Sequence, residues 1–212
     1  MRLGILVSGR GSNLEAVLDA VADGRLPSVE PVLVISNRPD IRALEVAARR
    51  GVAWRLMPRS DFADAQARDA AIGRTLQEAG CQLALLAGYD QLLSSPYFAA
   101  FDGRTINVHP SLLPRHGGRG MIGLAVHAAV LAAGEAETGV TIHEVTPLLD
   151  AGPPIEQVRL AVRPGESVAE LAERVLEVEH QVLVEVLARL SASMTGAPPP
   201  PIRARRQFRE AL

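Results

Sequence analysis

Asn107 and His109 stand two residues apart at the end of an apolar run of strand length, residues 105–108, that Pro110 closes. Alternation along a strand sends both side chains to one face at the carboxyl edge of the sheet, where open α/β sheets bind their ligands. An amide donor beside an imidazole suits a reaction that builds negative charge on a carbonyl oxygen. Both groups donate to that oxygen, and the imidazole also exchanges a proton. Taken singly, His109 reads equally well as a structural hydrogen-bonding partner. His143 and Asp150 flank a segment rich in Pro and Leu. A carboxylate in such a turn can orient a nearby imidazole and raise its pKa, although a turn-capping Asp accounts for the same residue.

A second kind of chemistry is offered by Ser8-Gly9-Arg10-Gly11-Ser12-Asn13-Leu14, a glycine-bearing turn between a strand and a helix. Glycine lets the backbone approach closely and first-turn N–H groups point outward unpaired. Ser12 and Asn13 add side-chain donors, so a phosphate fits without any lysine. Ser12 and Glu15 are spaced as a capping box, and the same turn also reads as a merely capped βα connection. Gly-x-Gly without a third glycine argues little for a dinucleotide. His109, His116 and His143 share no i, i+4 spacing and no carboxylate pattern joins them, so no metal site is expected. His127 falls in an apolar helical pattern and reads as packing, while His180 beside Glu179 faces either solvent or the cleft.

The elements that must hold these residues follow from periodicity. Apolar runs at 3–7, 31–35, 53–57 and 83–86 alternate with helical patterns at 13–22, 42–50 and 63–78, with Gly24, Gly51 and Gly80 as stop signals. This is the pattern of βαβ units and predicts a doubly wound, mostly parallel α/β sheet with helices on both faces. A helix is expected at 124–133 and strands at 140–145 and 155–162, which make the C-terminal part of the sheet mixed. A last helix opens at Ser167 with Glu170 completing a capping box. The chain of 212 residues is expected to form one domain over 1–195 and a Pro/Arg-rich tail over 196–212, in which the Arg cluster reads as solvated. All 22 cationic side chains are Arg, which excludes Schiff-base, pyridoxal-phosphate and P-loop lysine chemistry. A net charge of −2 gives no broad attraction for nucleic acid, and Cys81, alone, fits a reducing cytoplasm. The N-terminal apolar stretch, broken by Gly9 and Gly11, is too short for a signal or membrane span.

Taken together, SGRGSNL (8–14), SNRPD (36–40), LAGY (86–89), NVHPSLLP (107–114) and LDAGP (149–153) resemble the phosphoribosylglycinamide formyltransferases, a branch of the formyl-tetrahydrofolate transferase family. The motifs come in the family's order and cover about residues 3–190. NVHPSLLP is shared with methionyl-tRNA formyltransferase and formyltetrahydrofolate deformylase. Those relatives usually carry a further module, for which 212 residues are expected to leave no room. The resemblance implies the formyltransferase fold and transfer of a formyl group from 10-formyltetrahydrofolate to the amine of glycinamide ribonucleotide, without a metal. It implies Asn107, His109 and Asp150 as catalytic residues, and Gly11, Ser12 and Asn13 as the phosphate loop. Glu179 becomes a substrate-binding acid, and Tyr89, Asp90, Gln91, Leu92 and Leu93 the folate-binding segment. The implied partners are small molecules, with no nucleic acid and no membrane, and the chain is a cytoplasmic monomer or homodimer. A hydrolase that deformylates the folate, and a non-catalytic nucleotide-binding paralogue, are the alternatives.

The sequence departs from the family where Asp90 and Gln91 stand in place of Met-Arg, and where Ala65 occupies the place of a helical Arg. An acid gained and a cation lost are expected to leave that edge more negative, and so to weaken binding of a co-substrate with an anionic glutamyl tail.

Overall fold

The computed structural model describes residues 1–195. The tail expected over 196–212 lies outside the described residues.

Strand β1 (Arg2–Val7) is apolar after its first residue, and Leu3, Ile5, Leu6 and Val7 are wholly enclosed. A strand buried on both faces belongs in the middle of a parallel sheet. It is followed by α1 (Ser12–Ala22), β2 (Glu30–Ser36), α2 (Arg42–Arg49), β3 (Trp54–Leu56), α3 (Ala65–Glu78) and β4 (Leu83–Leu86). Then come α4 (Ser95–Ala100), β5 (Arg104–His109), α5 (Leu124–Ala132), β6 (Glu137–Glu144), β7 (Pro154–Ala161) and α6 (Val168–Thr195). The strand order is β3-β2-β1-β4-β5-β6-β7, parallel from β3 to β5 and antiparallel across β5–β6–β7. The doubly wound sheet with a mixed C-terminal part is therefore the fold observed. Its strand order reverses between β1 and β4, which opens a crevice at their carboxyl ends.

Apolar side chains from α1, α2, α5 and α6 close one face of the sheet, and those from α3 and α4 the other. Gly4 marks where α3 comes nearest, since a Cβ there would lie 2.3 Å from Leu76 Cδ2. The expected stop signals hold: Gly24, Gly51 and Gly80 all take positive φ. The box at the start of α6 forms, with Ser167 N donating to Glu170 Oε2 at 2.8 Å and Glu170 N to Ser167 Oγ at 3.3 Å.

Two expectations change, and one helix is new. The Ser12–Glu15 capping box does not form, because Gly11 occupies the N-cap in a left-handed conformation (φ 76°) and makes no side-chain cap, while Glu15 turns to Arg42. β3 is shorter than expected and is an exposed edge strand, not a buried run. Helix α4 was hidden by its brevity and by its aromatics, of which Tyr97 is buried against Thr105 and packs edge-on to Phe98.

Candidate active site

Strand alternation places Asn107 and His109 on one face of β5, opposite His143 and Thr141 of β6 in the antiparallel register. Asn107 Nδ2 lies 3.1 Å from His143 Nε2, and His143 Nδ1 lies 2.8 Å from the Glu144 carbonyl. The carbonyl can only accept, so His143 carries its proton on Nδ1 and receives the Asn107 amide at Nε2. Burial lowers the His143 pKa and keeps the ring neutral for this role, against the opposing pull of the Glu144 carbonyl and Asp150.

His109 is buried, and its Nε2 donates to the His116 carbonyl at 2.8 Å. Its Nδ1 faces Asp150 Oδ2 at 4.0 Å. Asp150 has a left-handed backbone (φ 50°), and its Oδ2 accepts from Gly118 N at 2.7 Å. The other carboxylate oxygen is 3.8 Å from His143 Nε2. Asn107, His109 and Asp150, the three that the resemblance implies, thus lie together, and His143 joins them. Thr141, which the sequence did not single out, supports the loop beyond His109. Its hydroxyl donates to Ser111 O at 2.6 Å and receives Leu113 N and Gln157 Nε2.

At the β1–α1 turn, Glu15 N bonds Gly11 O at 2.9 Å, so the N–H groups of residues 12–14 stay outside the helical ladder. Gly11 is required twice over, by its positive φ and because a Cβ would lie 2.7 Å from Ala43 Cβ. Asn13 is buried with its side-chain oxygen unpartnered. Glu179 sits on α6, the helix that packs on α1. It is 8% exposed, and burial pushes its carboxyl up to about 8.

The 89–93 segment corrects the sequence reading most. Asp90 is not a bare acid, because it accepts from Asn37 Nδ2 at 2.8 Å and from Gln91 Nε2 at 3.0 Å, and pairs with Arg38. Burial works to raise its pKa, but these hydrogen bonds and the Arg38 charge outweigh it and hold the carboxyl below its usual range. Gln91, where the cation is lost, is itself bonded from α3. Arg68, 2% exposed, is held by Asp69 and gives Nη1 to Gln91 Oε1 at 3.1 Å. Asp69 in turn accepts Ser94 N at 2.9 Å and Ser94 Oγ at 2.7 Å. The expected negative edge is therefore neutralised. Leu93 packs in the core, whereas Leu92 is 49% exposed. Tyr89 is buried with an unpartnered hydroxyl, which burial pushes up to about 12. Among the described residues, no three His, Cys, Asp or Glu side chains gather as a metal site.

A family model for formyl transferase matches residues 1–187. Among curated relatives, the trifunctional purine biosynthetic protein adenosine-3 of Drosophila melanogaster is 37% identical over 190 residues, 89% of this chain. The chain spans only 14% of that protein's length. The phosphoribosylglycinamide formyltransferase of Haemophilus influenzae is 33% identical over 181 residues, covering 85% of this chain and 82% of that protein. Glycinamide ribonucleotide transformylase 1 from Symbiobacterium toebii superposes with a TM-score of 0.84 at 37% identity, over 91% of this chain and 88% of that one. With a family model spanning nearly all the described residues and a solved relative that superposes over 91% of the chain, this chain belongs to the formyl transferase family.

Proposed function

We propose that the chain transfers the formyl group of 10-formyltetrahydrofolate to the amine of 5-phosphoribosylglycinamide, a step of purine biosynthesis. The observation that carries this reading is the convergence of Asn107, His109, His143 and Asp150 on a sheet edge whose β1–α1 turn is shaped for an anion. Residues 89–93 suit the folate, since Tyr89 offers an unpartnered buried hydroxyl and Leu92 an exposed apolar side chain.

When bound, 10-formyltetrahydrofolate supplies an activated formyl carbon on a nitrogen that can leave. Gly11, Ser12 and Asn13 hold the ribonucleotide phosphate at the helix N-terminus. Glu179, neutral below about pH 8, presents a carboxyl that donates as well as accepts. One Asn107 N–H is committed to His143, which fixes the amide plane and leaves the second N–H for the formyl oxygen as negative charge develops there. The His116 carbonyl holds His109 Nε2, so the ring presents Nδ1, and Asp150 is the counter-charge for a proton at that atom. As the amine nitrogen bonds to the formyl carbon it gives up a proton, and the folate nitrogen takes one as its bond to that carbon breaks. Asp150 and His109 hold and move the proton between them. The reading makes the chain a cytoplasmic enzyme with small-molecule partners, acting as a monomer or homodimer.

Product analysis tests it. Purified chain is expected to yield formylglycinamide ribonucleotide and tetrahydrofolate only when both substrates are present. Formate released without the amine would support the deformylase instead, and binding of the ribonucleotide without turnover a non-catalytic role.

A further inference from the structure

His116 has the left-handed backbone (φ 54°) that a non-glycine residue adopts only when its surroundings impose it. What imposes it is visible. The His116 ring donates from Nε2 to Glu135 Oε1 at 3.1 Å, and the neighbouring Arg115 gives Nη1 to Glu135 Oε2 at 2.7 Å. Both the ring and the Glu135 side chain are mostly enclosed. Glu135 stands between two rigid elements, three residues beyond α5 and two before β6, with its own N–H bonded to Val130 O. It therefore grips the 110–120 loop from a fixed point. The carbonyl of His116, turned inward by that grip, is the group that accepts from His109 Nε2 at 2.8 Å. Ser111 Oγ, donating to Arg115 O at 2.8 Å, closes the turn from within.

We propose that Glu135 is a positioning residue: acting through the His116 ring, it sets the carbonyl that orients His109, so that Nδ1 stays turned towards Asp150. The proposal rests on the formyl-transfer reading of this site. Without the grip of Glu135 nothing among the described contacts holds the His116 ring. The His116 carbonyl would then be held only by His109 Nε2 and by a long 3.4 Å contact from Ser111 Oγ, leaving His109 room to rotate, and misplacement of a catalytic group by about an ångström slows chemistry without weakening ground-state binding.

The test is formyl transfer by the full chain, with kcat and KM for both substrates. Glu135→Ala is expected to lower kcat about tenfold while leaving both KM values within about twofold. Glu135→Gln, which still accepts from His116, is expected to recover most of the rate. His116→Asn tolerates the left-handed backbone but lacks the ring's reach. It should slow kcat to a similar degree, and adding Glu135→Ala to it should cost nothing more. A kcat within twofold of wild type in Glu135→Ala overturns the proposal, as does an equal further loss in the His116→Asn background. Should Glu135→Ala fail to fold, a His116→Asn chain at full rate overturns it alone. A wild-type chain that transfers no formyl group overturns the functional reading and this proposal together, which separates that failure from the others.

Discussion

Around His109 the side chains are fixed by hydrogen bonds to backbone carbonyls and amides and by one side-chain bridge, from Asn107 to His143. Around Asp90 they are fixed by ion pairs and amide bridges that run from Ser94 through Asp69, Arg68 and Gln91 to Asn37 and Arg38. The first arrangement leaves one Asn107 N–H uncommitted and His109 Nδ1 facing Asp150 at 4.0 Å, beyond hydrogen-bond length, as a site that must donate to a substrate requires. The second uses up nearly every polar atom internally, so its product is a rigid loop and not a reactive group. Chemistry and scaffolding are thus divided between the ends of two neighbouring strands, β5 and β4, and substitutions at the two ends should fail differently.

The largest effect is expected at the first end. Asn107→Ala removes the donor for the formyl oxygen and leaves His143 Nε2 without its amide. We expect a loss of about 2.7–4 kcal/mol in the barrier, with ribonucleotide affinity nearly unchanged. His109→Ala should lose a comparable amount. Single-turnover rates beside equilibrium binding make the check, and a near-wild-type rate in either variant would remove that residue from the mechanism.

At the second end the next effect is on stability. Gln91→Arg, which restores the family's residue, puts a second guanidinium against buried Arg68 and deletes the acceptor that Arg68 now uses. We expect about 1–3 kcal/mol of destabilisation in urea unfolding, with the donor bound no more tightly. Tighter donor binding at unchanged stability would show that Gln91 is a ligand-facing group and not a link in the chain of bridges.

This contrast also explains what the sequence disclosed. Asn107 and His109 could be read because two residues on one strand have a fixed geometric relation, and the glycine turn because φ above zero has few other uses. Arg68 could not be paired with Gln91, since the contact joins α3 to a loop 23 residues away through a docking angle that periodicity does not contain. The same holds for Glu135 and His116, 19 residues apart. The sheet was legible through its buried strands, whereas α4 was lost because six residues cannot display a helical period.

Glu179 gives a smaller, pH-dependent effect. Its folded pKa, about 8, lies above the ordinary value of 4.5, so the stability it contributes is fully present below pH 4.5 and is lost as pH rises through 8. His127, His143 and His180, all lowered by burial from 6.5, act in the opposite sense, but only as pH falls below that value. Between pH 7 and 8.5 Glu179 therefore acts almost alone. The unfolding midpoint should fall there by a few degrees, at about 2–4 °C per kcal/mol, and Glu179→Gln should abolish the fall. An equal slope in both proteins would mean that Glu179 is ionised in the folded chain.

The smallest expected effect concerns Arg38, whose side chain is 58% exposed while its partner Asp90 is 12% exposed. An ion pair with one partner in water is worth about 0.2–1 kcal/mol and weakens with salt, so Arg38→Met should barely move the unfolding midpoint. Its informative consequence is electrostatic. In the wild-type chain Arg38 cancels the Asp90 charge, and the repulsion that an acid at this position would exert on the glutamyl tail of the donor is masked. Removing Arg38 unmasks it, so the KM for 10-formyltetrahydrofolate should rise several-fold at low salt and return towards the wild-type value at high salt. Adding Asp90→Asn removes the repelling charge and should restore the low-salt KM, even though it cannot restore the pair. A KM that stays raised in the double variant would mean that Arg38 itself meets the donor. An unchanged KM in Arg38→Met would put the glutamyl tail beyond about a Debye length from this end of the sheet.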